Sequence, residues 1–405
     1  MVDLAMTDTL VLRFADVGIA TYASLRVVGE PDRTVTWVIQ QQPLKTVCDA
    51  LDSALPDPCG AETALIAIER ALTTGAFASP DAEFELAGAL GSELVADDGW
   101  TLLSELSGRT ASQRAVLFVT PSPKLARVPW GQLAMPGPDG FRLMELVDVL
   151  MAVPPNVVHA PRRSVRWRER RDGPAVLLLD PRIPGQRPDS TLGSVLGRPA
   201  PEGALTRHFG ELMDERRVLP AVGAPVELFR RGDIDRHWLA HACAQEPSRL
   251  FYVGHASAAE GAVGHAERAA LHLAEDRPLT AADMMAAQFP VPPRVALLAC
   301  SSGGDYRFDE ATGLAAAMIL GGAELVTATL WSLPTTAAYR QFCLYTEDPM
   351  ADTVAEIDSA HCDEDAGRAV NRWQRARLRR WRGGDHAASP LHWAAVVSFA
   401  VDGAR

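Results

Sequence analysis

The sequence predicts an α/β fold, a mostly parallel sheet between helices, preceded by a small N-terminal β/α region. Two observations carry this. From about Ala115 onward, short runs that are apolar throughout (AVLFVT, AVLLLD, RLFYV, RVALLA) alternate with segments of helical texture. Strands without a polar face belong to parallel sheets covered on both sides. Before that point the β-rich runs alternate apolar with polar, as strands with one wet face do. The chain of 405 residues, 47% hydrophobic and 22% charged, has the composition of a globular protein with a proper core.

Taken in order, TLVLRFADVGIATYASLRVV and TVTWVIQ read as an antiparallel hairpin or small sheet. ETALIAIERALTTGAF and EFELAGALGSELV place apolar residues at helical spacing, with Glu62 and Asp81 near their starts. AVLFVT is a buried strand, followed by the Pro-rich turn PSPKLARVPW. The basic HAPRRSVRWRERRDG reads as a surface linker, AVLLLD as the next strand and PVELFRR as another, with a helix from Asp233 through HWLAHACAQ. RLFYVGH is a strand and LHLAED a short one in a hairpin. LTAADMMAAQF is a helix capped by Thr280, RVALLAC a strand, EATGLAAAMILGG a helix and AELVTATLW a strand. A helical region to about Arg382 precedes a last strand in HWAAVVSFAVDG. The expected division is residues 1–114, a regulatory or docking region, and 115–405, the main domain. No internal period of a repeat array is present.

Composition also excludes. A formal net charge of −12 disfavours a general nucleic-acid or anionic-membrane binder, since phosphates want positive surface. No stretch approaches the roughly 20 apolar residues that span a bilayer, and the acidic N-terminus does not read as a signal peptide. A cytoplasmic location is expected. The six cysteines lack CxxC pairs, as free thiols rather than a disulfide framework do. His237 and His241 stand four apart with Cys243 nearby, but Trp238 sits where an HExxH motif needs its glutamate, so no metal is expected. No GxxxxGK, GxGxxG or GxSxG is present, which leaves nucleotide binding and the α/β-hydrolase mechanism without support. No cofactor is implied. Two Arg/Trp runs, RRSVRWRERR and RWQRARLRRWRGG, could hold an anion, but the acidity of the chain favours a solvated linker and an exposed helix face.

In an open α/β sheet, ligands bind beyond the carboxyl ends of the strands. After RLFYV comes Gly254-His255-Ala256, and after RVALLA comes Cys300-Ser301-Ser302-Gly303-Gly304. A histidine and a cysteine thus leave one sheet edge beside small residues, the requirement for a thiolate nucleophile with an imidazole partner and exposed backbone N–H groups. The competing reading is a buried thiol and a structural histidine. The second Gly-His-Ala has no strand before it, so His265 reads as loop decoration and His255 as the histidine of interest.

These pieces resemble the CHAT domain, a caspase-like peptidase domain related to separase, gingipains and caspases. In family order stand VPWGQLAMPGPDGFRLME, AVPPNVV, RLFYVGHA, LHLAEDRPLTAADM, VALLACSSGGD, GLAAAMILGGAELVTATLW and SPLHWAAVVSFAVDG, from Leu117 to Gly403. The resemblance implies a caspase-like α/β/α sandwich and a cysteine endopeptidase with His255 as base or acid and Cys300 as nucleophile. The backbone N–H groups of Ala256 and Cys300 would form the oxyanion hole. Two departures stand out. Ala256 replaces the glycine most relatives carry, and WSLPTTAAYR lacks the acids that often follow this Trp in relatives preferring a basic residue. Asp305, Asp309 and Glu310 are therefore candidates for the substrate pocket, against a reading as solvated or helix-start charges. The implied partners are a protein substrate, encoded nearby in a bacterial defence or regulated-death system, and an activating protein. The rival is a caspase-like binding or sensor module without proteolysis.

Overall fold

Hydrophobic patterning divides the strands of this chain into two kinds, and the fold uses both. The structure, a computed structural model, describes residues 8–107, 114–137, 140–162, 164–259, 265–308, 312–343 and 347–401. It falls into two units: residues 1–152 with 371–390, and residues 153–370 with 391–405.

The first unit holds β1 (Thr9–Asp16), β2 (Ala20–Val27), β3 (Glu30–Gln40), β4 (Val116–Thr120) and β5 (Asp148–Ala152), ordered β3-β2-β1-β4-β5. Alternation in β1 buries Leu10, Leu12 and Phe14, the period-2 signature of a half-wet strand. β1 to β3 form an antiparallel meander, whereas β1 and β4 run parallel, Thr9 opposite Val116 through Arg13 opposite Thr120. That pairing is why the boundary expected at 114/115 falls inside this unit. β1 needs a hydrogen-bonding neighbour on its second edge, and β4 supplies it. Helix Gln41–Ala54 buries Leu44, Val47 and Leu51 at i, i+3 and i+7. Thr63 and Ser79 cap helices Ala64–Thr73 and Pro80–Leu94 by accepting from the N–H groups of Ile66 and Ala82.

The second unit contains β6 (Ala175–Leu179), β7 (Val218–Leu219), β8 (Arg249–Val253), β9 (Ala256–Ser257), β10 (Ala270–Leu271), β11 (Leu279–Thr280), β12 (Arg294–Leu298), β13 (Leu325–Thr329) and β14 (Val396–Ala400). Its main sheet runs β14-β13-β12-β8-β6-β7, all parallel except the antiparallel β13–β14 pair, and β11-β10-β9 form a small antiparallel sheet. Every residue of β6, β8, β12 and β13 is buried. Because successive side chains point to opposite faces, the sheet is covered on both, which explains the unbroken apolar runs. The α/β expectation with a mostly parallel sheet holds. Thr280 caps helix Ala281–Ala286, reciprocated by Asp283. One element differs: PVELFRR forms a short 3₁₀ turn, Pro225–Leu228, with Phe229 alone bridging to Leu179. Pro225 lacks the N–H a ladder needs and its ring presets a turn.

The strand starts carry charge. Arg249 and Arg294 lie side by side in the β8–β12 register and are buried. Arg249 donates to Asp358 Oδ1 at 2.8 and 3.2 Å, while His208 lies 2.9 Å from Oδ2. Burial alone would raise the Asp358 pKa, but Arg249 and His208 hold it below the usual carboxylate value. Replacing Asp358 with Ala leaves a buried, uncompensated guanidinium, so we expect a loss of about 3–5 kcal/mol, read as a shift of the denaturant midpoint.

Candidate active site

The second unit's sheet sets the site by register. Neighbouring parallel strands β8 and β12 end level, Val253 opposite Leu298. His255 and Cys300 each follow two residues beyond that pair, and the Gly254 N–H donates to the Leu298 carbonyl at 3.3 Å. Gly254 is required there, because a Cβ would stand 2.7 Å from the Tyr252 hydroxyl. That hydroxyl, fully buried, is shared between the carbonyls of His255 (2.7 Å) and His272 (2.8 Å). Its pKa is pushed well up, first by burial and then by the negative charges of Asp180 and a Cys300 thiolate. Tyr252 therefore acts as a neutral donor that holds the histidine turn.

His255 is oriented by a carbonyl. Its Nε2 lies 3.0 Å from the Gly193 oxygen. A carbonyl can only accept, so Nε2 carries the proton and Nδ1 keeps the lone pair. Gly193 is itself fixed, since a Cβ there would meet the Pro188 carbonyl oxygen at 2.3 Å. Its oxygen also accepts from Arg230 Nη1 at 3.0 Å, and the same nitrogen donates to Asp180 at 3.1 Å. The Ser194 hydroxyl donates to the other Asp180 oxygen at 2.6 Å. Asp180 follows β6, its N–H bonded to the Val253 carbonyl at 2.7 Å. Both Asp180 (φ 55°) and Arg230 (φ 54°) sit in the left-handed region, a cost typical of functional surroundings. The His255 pKa lies below its ordinary value, chiefly through burial; the Gly193 carbonyl and Asp180 act upward and Arg230 downward.

The backbone around the two residues is shaped for binding. The His272 N–H bonds the His255 carbonyl at 3.0 Å, which makes the Ala256–Leu271 pair the non-hydrogen-bonded kind. The Ala256 N–H therefore points away from β10. After Cys300 the chain turns sharply, Ser301 adopting φ 52°. The buried Ser302 hydroxyl donates to the Leu297 carbonyl at 2.7 Å and accepts from the Thr329 N–H at 3.1 Å, pinning the turn to β13.

A family model, the CHAT domain, matches residues 85–401. The chain belongs to the CHAT domain family. The match begins upstream of the Leu117 expected from the motifs, within helix Pro80–Leu94. Membership suggests a caspase-like cysteine peptidase. Among solved structures, the chain is similar to separase in two crystal structures of the Saccharomyces cerevisiae separase–securin complex. At 3.0 Å resolution the likeness has 12% identity, 98% of this chain, 30% of that chain and a TM-score of 0.47. At 2.6 Å it has 13% identity, 97% of this chain, 30% of that chain and a TM-score of 0.45. The CHAT chain thus spans under a third of the separase chains it matches. No curated protein matches it.

Of the pocket candidates, Asp305 is buried and accepts from the N–H groups of Ala315 (3.2 Å) and Ala316 (2.8 Å), capping helix Leu314–Leu320. Burial raises its pKa to about 6, with those N–H groups acting downward. Asp309 and Glu310 lie outside the described residues. His265 lies on the loop beside Glu267, 3.2 Å away. His237 and His241 are exposed, the Cys243 thiol is pushed up to about 12 by burial, and no metal-holding cluster occurs among the described residues. Among them, no helix is long and apolar enough to cross a membrane. The first Arg/Trp run is tied to its own unit: Arg294 stacks 3.6 Å over Trp167, and Arg168 and Arg170 pair with Glu364 and Glu246.

Asp180, Gly193, Arg230 and His272 went unread in the sequence. His272, whose Nε2 lies 2.6 Å from Ser257 Oγ, has its pKa lowered by burial and by the charge on His255. In an NMR titration we expect His255 to protonate below the ordinary ~6.5. Arg230→Gln should move that midpoint up and Asp180→Asn down; the reverse order would overturn the assigned electrostatics.

Proposed function

We propose that this CHAT protein is a cytoplasmic cysteine endopeptidase in which His255 and Cys300 form the dyad, cleaving one or a few protein partners. The observation that carries the reading is the register of β8 and β12, which brings a carbonyl-oriented imidazole and a cysteine to the same level of one sheet edge. The bacterial defence or regulated-death setting, with an activating partner, follows from the resemblance alone.

The chemistry follows from the tautomer. Nε2–H stays on Gly193, so Nδ1 takes the proton from the Cys300 thiol, and the thiolate sulfur attacks the scissile carbonyl carbon. The oxyanion is met by the N–H groups of Ala256 and Cys300. Nδ1–H then passes its proton to the leaving amine nitrogen as the C–N bond breaks, leaving a thioester on Cys300. Water, deprotonated by Nδ1, attacks that thioester; the C–S bond breaks and the proton returns to sulfur. Ala256 keeps the donor that a glycine would give, because its N–H direction is set by the β9–β10 pairing rather than by the side chain.

The test is a survey of new protein N-termini after wild-type or Cys300→Ala protein is added to lysate containing the products of neighbouring genes. We expect cuts with wild type only, and His255→Ala to lower the cleavage rate by at least about a thousandfold. Cleavage retained by Cys300→Ala would overturn the dyad.

A further inference from the structure

The small antiparallel sheet beside the candidate site carries a second imidazole. In the run LHL, Leu271 and Leu273 are buried, and strand alternation turns His272, between them, to the other face. The β9–β10 pairing puts Ala256 opposite Leu271 and Ser257 opposite Ala270. The bond from the His272 N–H to the His255 carbonyl, 3.0 Å, extends that ladder by one pair, so His255 and His272 stand opposite each other. Opposite residues, and residues two apart on one strand, share a face. His255, Ser257 and His272 therefore line one face of the ribbon. Two observations agree with this. The His272 Nε2 lies 2.6 Å from the Ser257 Oγ, the diagonal contact that the register requires, and the charge on His255 acts on His272.

Neither the Ser257 hydroxyl nor the His272 ring has a part in the dyad chemistry. Ser257 is exposed and His272 half-buried, so the pair is open to a ligand. A serine hydroxyl has one hydrogen and two lone pairs, and a neutral imidazole has one donor and one acceptor nitrogen. With Nε2 bare, Ser257 gives its hydrogen to the ring and offers lone pairs outward; with Nε2 protonated, it offers the hydrogen instead. One oxygen can thus meet either a donor or an acceptor. Burial and the His255 charge both favour the neutral His272 ring, and the Asp180 and Arg230 charges near His255 are already paired with each other. A hydroxyl or amide side chain is matched there, whereas an ionised one would give up water without gaining a counter-charge.

The imidazole also sets which side of the cut this face serves. In the proposed peptidase chemistry His255 hands its proton to the leaving amine, so the residue carrying that amine lies against the face that His255 shares with Ser257 and His272. We infer that Ser257 and His272 form the subsite for the first residue of the released fragment and select an uncharged hydrogen-bonding side chain there: serine, threonine, asparagine or glutamine. The assignment rests on the peptidase reading and adds to it a preference after the scissile bond.

The first residue of each new N-terminus reports this subsite directly. Among wild-type cuts we expect serine, threonine, asparagine and glutamine to stand first at least about threefold more often than in the lysate proteins at large, a ratio that one net hydrogen bond supports. Ser257→Thr should keep this excess. Ser257→Ala should erase it without changing the residue preferred before the cut, and Ser257→Asp should move it toward lysine and arginine. The Ser257 side chain is exposed, so these variants do not threaten the fold. Wild-type cuts with no such excess, or an excess that survives in Ser257→Ala, would overturn the subsite and leave the peptidase reading standing. An absence of cuts would count against the peptidase reading, and the subsite is then decided by ring-nitrogen NMR of the Cys300→Ala protein. The asparaginyl-alanine dipeptide amide, on the order of 10 mM, should move the His272 signals, with the response lost in Ser257→Ala. The dialanine amide should not move them. Equal responses to the two dipeptides, or none, would overturn the subsite.

Discussion

The hydrogen-bonded register between β8 and β12 is the constraint on which the candidate site depends. Five residues of each strand pair in parallel, from Arg249 opposite Arg294 to Val253 opposite Leu298. Neither His255 nor Cys300 belongs to a strand; each sits where a fixed ladder releases the chain. Parallel neighbours lie about 4.8 Å apart, so level strand ends hold the two following segments side by side without any contact between their side chains having to do so. The glycine between β8 and His255 and the left-handed Ser301 after Cys300 then bend both segments within a residue or two.

Orientation is a separate matter from proximity, and it comes from elsewhere in the chain. An imidazole near a thiol is useful only in one tautomer and one rotation. Here both are set by a backbone oxygen, which no mutation of a side chain at position 193 removes directly. What holds that oxygen is the Asp180–Arg230 pair, with Arg230 bridging carboxylate and carbonyl through one nitrogen. Because the pair places opposite charges near His255, their influences on its protonation oppose each other. Burial then decides the direction, and the ring stays neutral to lower pH than a solvated histidine.

How much of this was legible in the sequence follows from the range of each interaction. The strands β6, β8, β12 and β13 were readable because burial on both faces writes a local, uninterrupted apolar run. Thr280 was readable because a cap and its partner lie three residues apart. That His255 and Cys300 leave the same sheet edge was readable because strand ends are local and the edge rule is general. Gly193, by contrast, reaches His255 across 62 residues, and Arg230 reaches Asp180 across 50. Both lie at loops whose paths no periodicity records. Asp180 and Arg230, two positive-φ residues that are not glycine, left no usable trace, since aspartate enters the left-handed region only occasionally and nothing in arginine announces it. The 3₁₀ turn at Pro225 had a signal, the proline itself, which the apolar residues after it outweighed. The role of Asp305 as a cap turned on the position of helix Leu314–Leu320, ten residues onward.

The two edges of the second unit's sheet divide the work. At the strand starts, Arg249 and Arg294 stand adjacent and buried, an arrangement that repels unless neutralised. Asp358 meets the first, while the carbonyls of His361, Asp363 and Glu364, at and beyond the end of helix Pro349–Cys362, meet the second. A helix C-terminus carries partial negative charge, so it suits a cation. Beside them His361 is kept neutral, its pKa pushed down to about 3 by burial and by the two arginines. At the strand ends the charges are differently placed: Asp180 and Arg230 form one opposite-charge pair behind the His255 ring, while glycine, alanine and serine flank the histidine and the cysteine along the chain. The edges are nevertheless linked. A slip of one residue between β8 and β12 would send every side chain to the opposite face. It would separate Arg249 from Asp358 at one end and stagger His255 against Cys300 at the other. The ionic anchors at the starts therefore do more than hold a helix to the sheet: by making the slipped register costly, they fix the level at which the two candidate catalytic residues emerge.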